Sequence, residues 1–468
     1  MAVAEGGLET LVVGEDGRVF EFGCTEYDRS RMGDTAKCFV LRRVEGLPPT
    51  LGPVRQVAAG SNHMGIVTEA GDLLMYGIGW DGRLGLGDED TRRLPRLVPR
   101  AEFDGEAVLM VACGHEHTAV VTESGGVYTF GNGDHGKLGH GDEETQLAPR
   151  RVPAAGFNGE RIVMVAAGVS HTVALSEAGH VFAWGFGNNG QLGQNNWRKL
   201  LTPQQVDPRR FALAMGRSGH EERVVFIAAE SGYTVAVTTG GRLYTWGSGR
   251  GGQLGHDNTN NMLVPTLVPG FGGADGRGVV MVSCGSGHIM VVTEDGALWA
   301  CGNVGYGLLR RRNSVTWSVF EQVGDSMAFD GAKVVAAAAG SYHSAVLTED
   351  GALWTWFRDR NRLFGNGGTE HRLVPTRVNL GPLPINRVGR CRPLPTDHAV
   401  ALAMGTHGRL GAASAVRTLA GEPGLLTMIA SAASHWVSGV AGKSEGLVRL
   451  LGGVSAARQR RYAQTTQA

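Results

Sequence analysis

The sequence predicts an all-β fold, a seven-bladed propeller of four-stranded antiparallel blades, on three observations. A unit of about 54 residues recurs, starting at Gly6, Gly60, Gly114, Gly168, Glu230, Gly285 and Gly340, with separations of 54, 54, 54, 62, 55 and 55. Each copy holds four short apolar or alternating stretches parted by turn residues, with no 10-residue helical pattern between them. Glycine supplies 73 of 468 residues, about twice the usual ~7% share, and without a collagen period. Many positions therefore need positive φ or a close backbone approach.

One copy reads MVACGHEHTAVVTESGGVYTFGNGDHGKLGHGDEETQLAPRRV, Met110 to Val152. Its strands are named in order: B is Val108 to Ala112, C is Thr118 to Thr122, D is Val127 to Phe130, and A of the next unit is Pro149 to Val152. Asp16-Gly17, Gly125-Gly126, Gly240-Gly241, Asp295-Gly296 and Asp350-Gly351 mark C-to-D hairpin turns, where Gly or Asp tolerates φ > 0. The D strands end in Phe22, Tyr76, Phe130, Trp184, Trp246, Ala300 and Trp356, and these aromatics are expected to fill the space between blades.

A radial stack buries each sheet against its neighbours and leaves only short edges. A linear array would expose two apolar faces, so the ring is expected to close by pairing N-terminal strands with strands from about Leu373 to Met404. Thr10 to Val13 and Ala399 to Met404 both suit the closing blade's C strand. Residues 1–405 thus form the propeller domain. In the tail, 406–468, Leu425, Leu426, Ile429, Ala433, Trp436 and Val437 recur at helical spacing after Glu422 and Pro423, which predicts a helical segment that could dock a partner.

Lys plus Arg and Asp plus Glu each total 44. With a formal charge of zero there is no overall field to hold nucleic acid or an anionic membrane. Six cysteines, none in a C-x-x-C pair, argue against a disulfide framework or a zinc module. No stretch approaches the ~18 apolar residues of a membrane span, and the first residues lack a basic leader. The expectation is a monomeric propeller in cytosol or nucleus.

No catalytic constellation stands out. G-x-G-x-x-G occurs at Gly77-Gly79-Gly82, Gly131-Gly133-Gly136, Gly185-Gly187-Gly190 and Gly247-Gly249-Gly252. A phosphate site needs a helix directly after such a loop, and here x-L-G and another turn follow, so these glycines serve turns. His63, His117, His171, His288 and His343 fall one per blade, too far apart to share a metal. His115, His117, His135 and His140 cluster in one unit, without a closed tetrahedral spacing. Neither a metal nor a cofactor is expected.

The consensus G-x-x-H-T-x-x-V-T-E-x-G-x-V-Y-T-F/W-G-x-G-x-x-G-x-L-G-x-G resembles the regulator of chromosome condensation repeat family over residues 6 to 404. The resemblance implies a seven-bladed propeller. It also implies a choice of activities: exchange factor for the nuclear GTPase Ran, plant ultraviolet-B photoreceptor, or interaction module in ubiquitin ligases and ciliary scaffolds. The exchange factor carries acidic residues after the repeat glycine and a wedge after its third D strand. Here those positions read His115 and Val169, and GNGDHGKLG runs on without insertion. The photoreceptor carries tryptophans in those loops, against Ser61, His115, Val169, Ser286 and Ser341 here.

The function expected is therefore protein binding as a scaffold or adaptor. The alternatives are a guanine nucleotide exchange factor for a small GTPase and a ubiquitin ligase substrate adaptor, since GEPGLLTMIAS resembles the opening of an F-box. In a four-strand meander the B-to-C and D-to-A loops share one face. That face should carry the partner-binding ring of Asn62, Trp80, Asp81, His115, Glu116, Asp134, His135, Asn188, Asn189, Arg250, Tyr306, Tyr342, Arg358 and Arg360.

Overall fold

The computed structural model describes residues 2–5, 9–13, 18–23, 42–48, 52–211, 222–272, 277–303, 316–324, 328–341, 343–357 and 372–378. They form sheets of four antiparallel strands, each sheet contiguous in sequence. The N-terminal sheet is β1 (Ala2–Glu5), β2 (Glu9–Val13), β3 (Val19–Gly23) and β4 (Arg42–Arg43). The first blade is β5 (Val54–Ala59), β6 (His63–Thr68), β7 (Leu73–Gly77) and β8 (Arg92–Val98). The second is β9 (Val108–Cys113), β10 (His117–Thr122), β11 (Val127–Gly131) and β12 (Gln146–Arg151). The third is β13 (Ile162–Ala167), β14 (His171–Ser176), β15 (Val181–Gly185) and β16 (Leu200–Gln205).

The fourth is β17 (Val224–Glu230), β18 (Tyr233–Thr238), β19 (Leu243–Gly247) and β20 (Met262–Leu267). The fifth is β21 (Val279–Cys284), β22 (His288–Thr293), β23 (Leu298–Asn303) and β24 (Thr316–Gln322). The sixth is β25 (Val334–Ala339), β26 (His343–Thr348), β27 (Leu353–Phe357) and β28 (Arg372–Arg377). The first strand of each sheet touches that of the next, from β1 through β25 and back to β1, so these strands line an axis and the ring is closed.

Burial follows from this arrangement. Every residue of β6, β10, β14, β18, β22 and β26 is buried, because the second strand is covered on both faces by neighbouring blades. Their sequences accordingly run continuously apolar, broken only by Gly, Ser, Thr and the leading His or Tyr. The fourth strand is the outer edge and ranges from half-buried to exposed. There a proline recurs at one register, Pro95, Pro149, Pro203, Pro265 and Pro375, which an edge tolerates and which blunts pairing with other chains. Between blades a phenylalanine follows the outer strand and meets the next blade's third strand edge-on. The pairs are Phe103 with Tyr128, Phe157 with Phe182, Phe211 with Tyr244, Phe271 with Trp299 and Phe329 with Trp354.

Three expectations are corrected. Seven like blades were expected, and six complete ones are seen. The N-terminal sheet fills the remaining sector with a two-residue β4 that pairs only Phe20 with Arg43 and Glu21 with Arg42. Among the described residues no sheet is shared between the termini either. Glu9–Val13 serves within its own N-terminal sheet, and the sixth blade is complete at Arg377. Ala399 to Met404 and the tail 406–468, expected to be helical, lie outside the described residues. Among those described, the only helical pieces are short 3-10 turns.

The third correction concerns the inter-blade aromatics. Pairing matches Thr118 with Phe130, Thr172 with Trp184, Thr234 with Trp246, Ile289 with Cys301 and Ser344 with Trp356. The fifth-blade equivalent of the tryptophan is therefore Cys301, one residue beyond Ala300.

Candidate functional site: a loop face on a histidine belt

The B-to-C and D-to-A loops rest on a belt of buried polar pairs. His63 Nε2 lies 2.9 Å from Thr118 Oγ1, His117 2.8 Å from Thr172, His171 3.0 Å from Thr234 and His288 3.0 Å from Ser344 Oγ. Each pair joins one blade to the next. Thr118, Thr172 and Thr234 donate their hydroxyl hydrogens to the carbonyls of Arg83, Lys137 and Gln191. A hydroxyl has one hydrogen to give, so it accepts from the imidazole, and Nε2 carries the proton.

Burial holds these histidines neutral. His63 and His288 are lowered to about 3, His171 and His343 to about 4, and His117 well below its ordinary value, with desolvation the main cause in each. The repeat glycine is explained by the same ring. A Cβ on Gly168 would stand 2.4 Å from His171 Cε1, and one on Gly285 2.4 Å from His288 Cε1. The fourth blade departs at both positions together. Tyr233 replaces the histidine, and its hydroxyl reaches the next blade, 2.5 Å from the Gly285 carbonyl oxygen. With no imidazole to clear, Glu230 can replace the glycine, and burial raises its carboxyl to about 7.

The D-to-A loops of the first four blades are tight turns. A Cβ on Gly79, Gly133, Gly187 or Gly249 would fall within about 2.2 Å of a carbonyl oxygen across the loop, and Gly82, Gly136, Gly190 and Gly252 have positive φ. Each glycine pattern is thus occupied by its own backbone, as the turn reading expects. The next residue, Trp80, Asp134, Asn188 or Arg250, projects into solvent; Trp80 is 58% exposed.

The structure brings the ring residues of the first three blades into contact. Asp81, at φ 56°, pairs with the buried Arg83 at 2.8 Å, and Arg83 also donates to the carbonyls of Trp80 and of His115 in the next blade. Exposed His115 lies 3.6 Å from Glu116, whose other oxygen is 3.7 Å from the buried Lys137 ammonium. Lys137 also donates to Asn132 Oδ1, and Asp134 caps the same amide through its backbone N–H. Burial lowers the Lys137 pKa, and Glu116 is the main opposing influence. His135 stacks at 4.6 Å on Phe186 of the third blade's loop, beside Asn188 and Asn189.

Asn62 is half-buried, with its carbonyl held by the Ile78 N–H at 2.8 Å. Arg250, in the fourth blade, is exposed on the same face. Tyr306, Tyr342, Arg358 and Arg360 lie outside the described residues. The expected ring missed Arg83, Lys137 and Phe186. The first two occupy the variable position of G-x-L-G, and a long cation at a site that is Gln191 and Gln253 elsewhere was the available signal. His140, grouped with these histidines from the sequence, bonds Thr129 and the Arg150 carbonyl instead.

A model of the RCC1-like domain matches residues 52–407. The Arabidopsis thaliana ultraviolet-B receptor UVR8 is 33% identical over 336 residues, 71% of this chain and 71% of the receptor. The human E3 ubiquitin-protein ligase HERC2 is 32% identical over 384 residues, 81% of this chain but only 8% of HERC2. Among solved structures, human WBSCR16 superposes with a TM-score of 0.62 at 24% identity, covering 73% of this chain and 84% of that one. Yeast RCC1 (Prp20) bound to Kap60 gives 0.62 at 22%, covering 73% and 78%. At these identities the structural likeness is one of fold.

Proposed function

The chain belongs to the RCC1-like domain family, and from that membership we propose that it is a protein-binding scaffold whose recognition surface is the loop face of the first three blades. The observation that carries this reading is the cross-blade linkage. Trp80, Asp81, His115, Glu116, Asp134 and His135 are held by the buried Arg83 and Lys137 and by Phe186. Exposed groups on a rigid frame recognise a partner at low entropic cost, and a central aromatic such as Trp80 is a suitable anchor.

Proximity labelling in cells should recover a set of proteins with the wild-type chain that Trp80→Ala/His135→Ala loses; an identical set with the folded variant would refute the reading. Exchange activity is the second reading. It finds less support, because the loop after β11 matches in length those after β7, β15 and β19. Accelerated release of labelled nucleotide from a purified small GTPase would favour it. The ligase-adaptor reading rests on 406–468 and would fall if deleting that segment left ligase recovery unchanged.

A further inference from the structure

The fifth blade breaks the repeat at two facing positions, and a cavity lies where it does. In the third and fourth blades Trp184 and Trp246 donate their indole N–H to the carbonyls of Lys137 and Gln191, each at 2.9 Å. Cys301 takes that place and donates Sγ–H to the Gln253 carbonyl at 3.1 Å. The edge proline is replaced at the same time by Phe320, at the register set by Ala300 opposite Glu321. Over Gly139 and Gly193 the nearest ring is Trp184 or Trp246; over Gly255 it is Phe320. One aromatic thus enters from the outer strand in place of one lost from the third.

The exchange does not restore the packing. A cavity of about 240 Å³ remains between the outer strands of the fourth and fifth blades, walled by Leu267, Val268, Phe271, Trp299 and Phe320, with Val319 on its rim. That is below the ~300–1,000 Å³ of pockets for whole small-molecule ligands, and better suited to one side chain. Two polar groups accompany it. The Arg277 guanidinium lies 4.0 Å above the Trp299 ring; it is near enough to Asp295 to help lower that carboxyl's pKa, without an ion pair within 4 Å among the described residues. The buried indole N–H of Trp299 likewise has no acceptor among them. The other charged wall, Asp257, accepts a hydrogen bond from Ser318. Val319 is 40% exposed, on an edge strand that lacks the proline guard.

We propose that this cavity is a docking site for an extended acidic segment of a partner protein, which inserts an aliphatic side chain and places an adjacent carboxylate on Arg277. The apolar walls account for the aliphatic group. The guanidinium, held over the Trp299 ring and so pre-oriented, accounts for the carboxylate. The site lies at the outer rim and does not depend on the loop face of the first three blades.

The test uses the full chain and dye-labelled decapeptides of glycine and serine carrying a central Leu-Glu, Leu-Gln or Ala-Glu, read by fluorescence anisotropy. The Leu-Glu peptide should bind at least tenfold more tightly than either control. Arg277→Gln should erase its advantage over Leu-Gln, and Cys301→Trp/Phe320→Pro, which restores the pattern of the other blades, should abolish binding. Equal binding of all three peptides, or unaltered binding to the restored variant, would overturn the proposal. So would a dimer that the restored variant abolishes, which would make a second copy the occupant. If the restored variant fails to fold by circular dichroism, Val319→Asp replaces it: lost binding supports the site, and retained binding refutes it.

Discussion

The third and fifth blades run the same repeat with the same strand registers, yet they fill the same site differently. In the third, Trp184 is fully buried and Pro203 closes the edge; in the fifth, Cys301 and Phe320 stand there and a cavity remains. The difference teaches that the repeat fixes the backbone while pairs of facing side chains fix the packing. Such pairs change together: Gly with His, Trp with Pro.

The comparison breaks most sharply at the tryptophan. Trp184→Ala should destabilise the chain by about 3–5 kcal/mol, the usual cost of emptying a large aromatic site. Cys301→Ala, in a blade already underfilled, should cost about 1 kcal/mol. Urea midpoints of the two variants measure the contrast, and equal shifts would show that the blades do not differ in packing.

Acid should act next. The belt histidines stay neutral, with a single ring proton, when folded and would take a second at about 6.5 when unfolded, so the unfolded state binds more protons below that pH. Their stabilising contribution is therefore complete above pH 6.5 and is lost as pH falls toward 4, by about 2 kcal/mol for each histidine at pH 5. Melting temperatures from pH 7 to 5 should fall steeply, and His117→Gln should flatten the fall. A flat profile in the wild type would mean the imidazoles charge without unfolding.

At the glycine beneath the imidazole, Gly168→Ala places a methyl group 2.4 Å from His171 Cε1 and should cost about 1–3 kcal/mol as an overpacked site. Glu230→Gly, made where Tyr233 has already left the space, should cost less than about 1 kcal/mol. Denaturant midpoints decide, and equal losses would separate the glycine from its histidine. The smallest effect is Glu230→Gln. Glu230, raised to about 7, keeps a proton when folded that the unfolded chain releases near 4.5, so its contribution declines as pH rises between those values. The variant should remove that single-proton slope, opposite in sign to the histidines'.

Much of this was legible in the sequence. The unit length, four strands per unit and the turn role of the glycine loops follow from periodicity and residue type. So did the common face of Trp80, Asp134, Asn188 and Arg250, because a meander fixes which loops share a side. What could not be read has a physical cause. Ala300 was aligned in place of Cys301 because an aromatic count cannot see register, which only hydrogen-bonded pairing sets. The closing strands could not be chosen from the sequence because apolar stretches near both ends look alike, and nothing local says which will pair. Arg83 and Lys137 act through contacts about 30 residues away or across blades, beyond any window of spacing.

Among the described residues no strand is shared across the seam between the N-terminal sheet and the sixth blade, where Phe20 packs against Ala345, Leu347, Leu353 and Val378. A ladder of backbone bonds would have to be sheared in concert, whereas a greasy contact can peel. Pulled from its ends, the molecule should give way first at that join, unrolling from a circle into an arc before any blade loses its own strands.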